Sequence, residues 1–168
     1  EFIHIPKTGG SSIKTDLNNI DALEQSDGVH RPMSSQHDPK KINYVTCLRE
    51  PVSRVFSLYT MGLRMGPSYP MYKEAMGGLK SFIESPTMKF ECSNLQSRYC
   101  TVSPYKEKTS PEEAIEILSN FKGVFIFEQI REDFDYLDLI LPHKNKHNYS
   151  KNIKCKDREF ILSLNKTD

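Results

Sequence analysis

Hydrophobic and polar positions along the chain predict strands and helices in turn. A short apolar run over residues 2–5 ends at Pro6, and further apolar runs occupy residues 42–48 and 123–128. Nearly continuous runs rich in β-branched and aromatic residues are typical of buried parallel strands. Helical patterns fill the intervals, so the order of elements indicates an α/β fold.

The predicted helices have recognisable starts. Pro51 at a first-turn position predicts a helix to about Leu63, and residues 72–83 and 89–99 predict two more. A fourth helix is predicted from Ser110 as N-cap, followed by a proline at the first helical position and two glutamates in the first turn.

The turn after the first strand, KTGGSS over residues 7–12, precedes an amphipathic pattern that predicts a helix. Such a turn offers unpaired backbone N–H groups and the positive end of a helix dipole, and Gly9 and Gly10 let an anion approach closely. Its lysine precedes the glycines, which reverses the G-x-x-x-x-G-K-[ST] order of an ordinary P-loop. The turn is either an anion site or an ordinary strand-to-helix turn with a solvated Lys7.

A second informative stretch is CLREPVSRVFSLY over residues 47–59, where Arg49 follows a strand and Ser57 lies two turns along the next helix. Ligands of open parallel sheets collect at the carboxyl ends of the strands, so Arg49 and the 7–12 turn are expected at one crevice. A guanidinium binds phosphate bidentately, and a serine hydroxyl adds a hydrogen bond. The alternative is that Arg-Glu-Pro only caps the helix through an Arg–Glu pair.

Composition limits the possible functions. The 23 Lys and Arg residues nearly balance 22 Asp and Glu, so no basic field indicates nucleic acid or an anionic membrane. No apolar run is long enough to span a bilayer, and a soluble chain is expected. The compartment stays open between the cytoplasm and, behind an upstream anchor, the Golgi lumen. A single domain over residues 1–168 suits this length.

The four cysteines, Cys47, Cys92, Cys100 and Cys155, have neither C-x-x-C spacing nor a histidine cluster, so no metal is expected. On a continuous helix Cys92 and Cys100 would lie about 12 Å apart, too far for a disulfide. The two cysteines could pair only if that helix is broken, so reduced, buried thiols are expected. His4, on the first strand, is expected to be a core residue.

The pair HIPKTGGSS and CLREPVSRVFSLY resembles the donor-binding motifs of the carbohydrate sulfotransferases, the group with the heparan sulfate 2-O and 6-O enzymes and shorter bacterial relatives. The segments NLQSRYC, GVFIFEQIREDFDYLDLIL and HNYSKN follow in the family's order. The resemblance implies 3′-phosphoadenosine 5′-phosphosulfate as donor and a P-loop-like three-layer fold with a mainly parallel sheet. It also implies sulfuryl transfer to a hydroxyl or amine of a carbohydrate or small-molecule acceptor.

The resemblance assigns a role to each motif residue. Lys7 would stabilise the charge that develops on the oxygen bridging phosphate and sulfate. The low charge of a sulfuryl group would let the enzyme work without a metal. His30 would be the acceptor's base, with His37 as the alternative. The implied donor-binding residues are Lys7, Thr8, Gly9, Gly10, Ser11, Ser12, Arg49, Ser57, Ser150 and Lys151, and the implied substrate-binding residues are Asn94, Gln96 and Arg98.

Other functions stay open at this point. A P-loop-like kinase of nucleotides or small molecules is one alternative, although the reversed motif argues against it. A nucleotide-binding module without turnover is another, against which the retained lysine and loop histidines argue. The histidines could also be surface loop residues, and the polar side chains of NLQSRYC could serve solubility alone.

Overall fold

We describe the protein from a computed structural model, in which the described residues are 1–10, 13, 42–101, 110–129 and 155–165. Their strands are β1 (Phe2–Ile3), β2 (Val45–Leu48) and β3 (Gly123–Ile126). Their helices are α1 (Pro51–Met65), α2 (Tyr72–Met76), α3 (Leu79–Glu84), α4 (Lys89–Cys92), α5 (Leu95–Tyr99), α6 (Pro111–Ser119) and α7 (Cys155–Leu164), and a 3₁₀ turn covers Phe127–Gln129. The α/β class is confirmed.

The three strands form one parallel sheet in the order β1-β2-β3. The register of both strand pairs can be given from Val45 of β2, which pairs with Phe2 of β1 on one side and with Gly123 of β3 on the other. A bond of 2.7 Å from the Lys122 amide to the Tyr44 carbonyl continues the pairing before β3 begins. Because all three strands run in the same direction, their carboxyl ends lie at one edge of the sheet.

The described residues fall into two compact units. The first contains the described residues of 1–49 and 96–129, and so holds the sheet and α6. The second contains residues 50–95 and the described C-terminal residues up to 165, and so holds α1 to α4 and α7. The expectation of a single domain stays a prediction.

The second unit has a helical core around α1. Val52, Val55 and Leu58 recur at three-residue spacing on this helix and are buried against Phe82 of α3 and Ile161 of α7. A stripe at this spacing lies on one face of a helix. Arg54 of the same helix is also fully buried, and its Nη2 donates to the Glu91 carbonyl at 2.6 Å. Within the described part of the chain, no helix is both long and apolar enough to cross a membrane.

Glu50 caps the start of α1. Its carboxylate accepts the Ser53 amide at 2.8 Å and the Val52 amide at 3.3 Å, and it pairs with Arg158 at 3.3 Å. A carboxylate at this position satisfies N–H groups that the helix itself cannot pair and complements the helix dipole. The helix-capping alternative for the Arg-Glu-Pro stretch therefore holds for Glu50. Arg49 needs a separate explanation.

Two helices predicted as continuous are broken, so those predictions were wrong in their boundaries. The 72–83 segment divides at Gly77 and Gly78 into α2 and α3, and Gly78 has a φ of +91°, which a helix cannot contain. The 89–99 segment divides at Ser93 and Asn94, where Asn94 has a φ of +47°.

A buried side chain from the C-terminal segment holds the second break. The Asn165 Oδ1 accepts the Asn94 amide at 2.9 Å, and its Nδ2 donates at 2.9 Å to the carbonyls of Cys92 and Ile161. Asn165 thereby provides hydrogen-bond partners for backbone N–H and C=O groups that have no helical partner at the break. Partners so distant in sequence cannot be read from helical periodicity.

Cys47, Cys92 and Cys100 are buried thiols outside disulfides, which confirms the expectation for these three. Burial raises the pKa of Cys92 to about 12, with the Arg54 charge acting in the lowering direction and Glu91 adding to the rise. Cys92 is therefore a protonated thiol at neutral pH. His4 is buried, as predicted for a core residue.

Candidate functional site

The carboxyl ends of the three strands bring together three short segments of the first unit. The segment after β1 leads from His4 into the Lys7 turn, Arg49 follows β2, and Phe127 and Glu128 follow β3. This edge is where open parallel sheets bind ligands. Residues 7–10 of the turn and Arg49 therefore lie at one edge of the sheet. That the turn and Arg49 face one crevice stays a prediction.

The backbone of the turn alternates in handedness. Lys7 has a φ of +69° and Gly9 a φ of +84°, whereas Thr8 between them does not have a positive φ. Alternation of this kind turns successive N–H groups toward one side and makes a concavity that binds anions. A lysine in the left-handed region costs about 1–2 kcal/mol, and backbone strain of this kind concentrates at functional sites.

The rest of the turn is fixed by hydrogen bonds. The buried Thr8 hydroxyl donates to the Ile5 carbonyl at 2.9 Å, so the side chain of Thr8 is directed into the protein. Gly10 is the first helical residue, and the Ile13 amide donates to the Gly9 carbonyl at 3.2 Å. Thr8 can therefore bind an anion through its backbone amide, while its hydroxyl stabilises the conformation of the turn.

Each of the two glycines lies against an aromatic ring. A Cβ on Gly9 would lie 2.6 Å from Cδ2 of Phe127, and a Cβ on Gly10 would overlap the ring of His4. His4 in turn stacks on Phe2 with ring centroids 5.8 Å apart. The glycines are thus required for the turn to pack on Phe127 and His4, which is a structural reason independent of any ligand.

Gly9→Ala is expected to lower the free energy of unfolding by about 2–5 kcal/mol, because the change adds left-handed strain to a steric clash. Urea denaturation would measure the loss. In a Phe127→Ala background the clash is gone, so the same change should cost about 1–2 kcal/mol. An equal cost in both backgrounds would contradict the packing of Gly9 on Phe127.

Arg49 connects the three segments. Its Nη1 donates to the Lys7 carbonyl at 3.2 Å, its guanidinium carbon lies 4.2 Å from the centroid of the Phe127 ring, and its Nε lies 3.9 Å from Glu128. The Arg49 side chain is only 8% exposed, whereas that of Glu128 is 42% exposed. A stacked and largely buried guanidinium has little freedom, so its donors are oriented before any ligand arrives.

The backbone of Arg49 is held by Gln96. The Arg49 amide donates to Gln96 Oε1 at 2.7 Å, and Gln96 Nε2 donates to the Arg49 carbonyl at 2.8 Å. Gln96 itself is buried.

The structure brings some of the predicted site residues together and places others elsewhere. Lys7, Thr8, Gly9, Gly10 and Arg49 lie at the sheet edge described above. Ser57 is half-buried on α1 in the second unit, Asn94 lies at the helix break of that unit, and Gln96 and Arg98 are buried in the first. The remaining predicted residues, Ser11, Ser12, His30, His37, Ser150 and Lys151, lie outside the described residues.

Sequence reasoning missed Phe127 and Glu128. Both follow directly after β3, so the rule that assigned Arg49 to the strand ends would have assigned them there as well. The sequence does not indicate, however, that the Phe127 ring would contact both Gly9 and the Arg49 guanidinium.

The arrangement can bind an anion through two cationic side chains and a backbone concavity. Lys7 is half-buried at the start of the turn, and the Arg49 guanidinium contacts its carbonyl. Among the residues that the structure describes, no cluster of histidine, cysteine, aspartate and glutamate could hold a metal ion. A search of family models, of curated proteins and of solved structures finds no match to the chain.

Proposed function

We propose that the protein is a sulfotransferase that moves a sulfuryl group from 3′-phosphoadenosine 5′-phosphosulfate to a hydroxyl or amine of a carbohydrate or small molecule. The observation that carries the proposal is the 3.2 Å bond from the Arg49 guanidinium to the Lys7 carbonyl. It joins the two stretches whose sequences resemble a donor site. The fold that we propose is P-loop-like and three-layered, with a central, mainly parallel sheet flanked by helices.

The donor accounts for a contact between Arg49 and the backbone of the lysine turn. Its 3′-phosphate and its 5′-phosphosulfate are carried by one ribose, so the groups that bind them must lie within the length of one nucleotide. In the proposal the turn from Lys7 to Ser12 binds the phosphosulfate, and Arg49 with Ser57 binds the 3′-phosphate. Ser150 and Lys151 complete the nucleotide site.

The proposed chemistry is an in-line attack by the acceptor on sulfur. As the bond from sulfur to the bridging oxygen breaks, that oxygen gains negative charge, which the Lys7 ammonium stabilises more in the transition state than in the ground state. The acceptor's proton goes to His30, with His37 as the alternative base. A sulfuryl group carries less charge than a phosphoryl group, so the reaction proceeds without magnesium.

Adenosine 3′,5′-bisphosphate, the desulfated product, is expected to stabilise the protein in the presence of EDTA. A ligand that binds only the native state at about 100 times its dissociation constant adds about 2.7 kcal/mol, which a thermal unfolding scan detects easily. Adenosine 5′-phosphate serves as the control, because it lacks the 3′-phosphate that Arg49 binds.

The same scan tests the kinase alternative. A kinase site needs magnesium to neutralise the phosphate oxygens of ATP. Stabilisation by Mg-ATP that equals or exceeds stabilisation by the bisphosphate would contradict the sulfotransferase proposal.

A further inference from the structure

The side chain of Gln96 forms a closed pair with the backbone of Arg49. The two hydrogen bonds measure 2.7 Å and 2.8 Å, one in each direction, which is the pattern by which a neighbouring strand would pair with this residue. Gln96 is 4% exposed, so its carboxamide is enclosed with both of its polar ends directed to Arg49. The carboxamide thus continues the pairing of β2 by one residue at the carboxyl end of the strand.

Holding the backbone of Arg49 also limits where its side chain can go. The guanidinium stacks at 4.2 Å on Phe127 and donates to the Lys7 carbonyl, and both contacts require the Cα of Arg49 to stay in place. Without the carboxamide, the Arg49 amide and carbonyl lose buried partners, and each such loss costs about 1–3 kcal/mol. The chain would then shift to regain partners from elsewhere.

We propose that Gln96 is a positioning residue for Arg49, and that it fixes the guanidinium for recognition of the 3′-phosphate rather than contacting the acceptor. This inference rests on the proposed function for the ligand, but the placement of Arg49 by Gln96 can be tested without any nucleotide. It replaces the role in substrate binding that the resemblance implied for this residue.

Two substitutions at Gln96 separate its contributions. Gln96→Leu replaces the carboxamide with an apolar side chain of similar size and so removes both hydrogen bonds. Gln96→Glu keeps the shape, and its protonated carboxyl can accept from the Arg49 amide and donate to the Arg49 carbonyl, whereas its ionised form cannot donate. Because burial raises the pKa of a carboxyl, Gln96→Glu should be protonated at about pH 5 and ionised at about pH 8–9.

The first readout is the ratio of affinities for adenosine 3′,5′-bisphosphate and adenosine 5′-phosphate, taken relative to the wild type at the same pH. Gln96→Leu is expected to lower this ratio about tenfold at both pH values. Gln96→Glu should keep the wild-type ratio at low pH and lose it at high pH. A residue with a general structural role would change stability without this pH-dependent change in discrimination.

The second readout is the NMR shift of the Arg49 δ-methylene protons, assigned by their loss in Arg49→Lys. Because the guanidinium carbon lies 4.2 Å from the centroid of the Phe127 ring, the ring current is expected to shift these signals in the wild type. The ring-current shift should disappear in Gln96→Leu, and in Gln96→Glu it should be present at low pH and absent at high pH. If Gln96→Leu does not fold, Gln96→Glu alone carries the test.

Thr46→Val is the matched control. It removes another buried bond within the same sheet, 2.9 Å from the Thr46 hydroxyl to the Ile3 carbonyl, and should leave both readouts unchanged. Unaltered discrimination and an unaltered ring-current shift in the Gln96 variants would overturn the positioning role. A wild-type protein that does not discriminate the nucleotides would instead contradict the proposed function, and the NMR shift would still decide the role of Gln96.

Discussion

Lys7→Ala is expected to lower the rate of sulfuryl transfer by about 10² to 10³, while the affinity for adenosine 3′,5′-bisphosphate falls by less than about fivefold. The difference arises because the bridging oxygen becomes charged only as its bond to sulfur breaks. The product keeps this charge, but it is shared among the 5′-phosphate oxygens that the whole turn binds, so the ammonium group contributes less to product affinity than to the transition state. Single-turnover transfer and calorimetric binding, measured on the same preparation, separate the two effects.

Lys7→Gly is the matched control for backbone effects. Lys7 lies at a φ of +69°, where glycine is favoured over alanine by about 1 kcal/mol, so this variant should be the more stable of the two. It should nevertheless be as inactive as Lys7→Ala. Recovery of transfer in Lys7→Gly, which also lacks the ammonium group, would remove the catalytic role of that group.

His30→Ala is expected to lower transfer by about 10² to 10⁴, the usual contribution of a general base, without weakening nucleotide binding. The expectation comes from the sequence context of this histidine between the two donor motifs. The wild-type rate should fall at acidic pH, because a protonated imidazole cannot accept the proton of the acceptor. Rates measured across the pH range would show this dependence.

His37→Ala is the companion variant and should stay nearly active, since a single residue accepts the proton of the acceptor. An inactive His37 variant beside an active His30 variant would reverse the assignment. Two active variants would exclude both histidines as the base, and bisphosphate binding measured in parallel would show whether either variant had lost its fold.

The hydrophobic pattern predicted which segments form strands better than it predicted where those strands begin and end. The predicted strand over residues 42–48 is shorter in the structure, where β2 covers Val45–Leu48 and the bond from the Lys122 amide to the Tyr44 carbonyl lies just before it. The start of α1 at Pro51 and the Ser110 cap of α6 were confirmed, since both depend on neighbours in sequence. Strand pairing depends on distant residues that a local pattern does not contain.

The helix breaks also show that a local sequence pattern does not contain contacts with distant residues. Gly77 and Gly78 could have signalled the first break, because consecutive glycines weaken a helix. The second break at Asn94 depends on the side chain of Asn165, which lies 71 positions away in the sequence. No spacing rule connects the two residues.

The candidate site was predictable to the level of the sheet edge. The positions of Lys7 and Arg49 after successive parallel strands were enough to bring them to one edge. Three features were not predictable, because each depends on side-chain packing: the inward direction of the Thr8 hydroxyl, the contacts of the Phe127 ring with Gly9 and Arg49, and the Gln96 pair with the Arg49 backbone.

The most direct test of the proposed sulfotransferase activity is transfer of a radiolabelled sulfuryl group from 3′-phosphoadenosine 5′-phosphosulfate, in EDTA, to a panel of carbohydrate, phenol and amine acceptors. We expect that label enters at least one acceptor, and that the rate of this transfer is lower by about 10² to 10³ in Lys7→Ala. Absence of transfer by the wild type, together with transfer of a radiolabelled phosphoryl group from Mg-ATP to the same panel, would contradict the proposed activity.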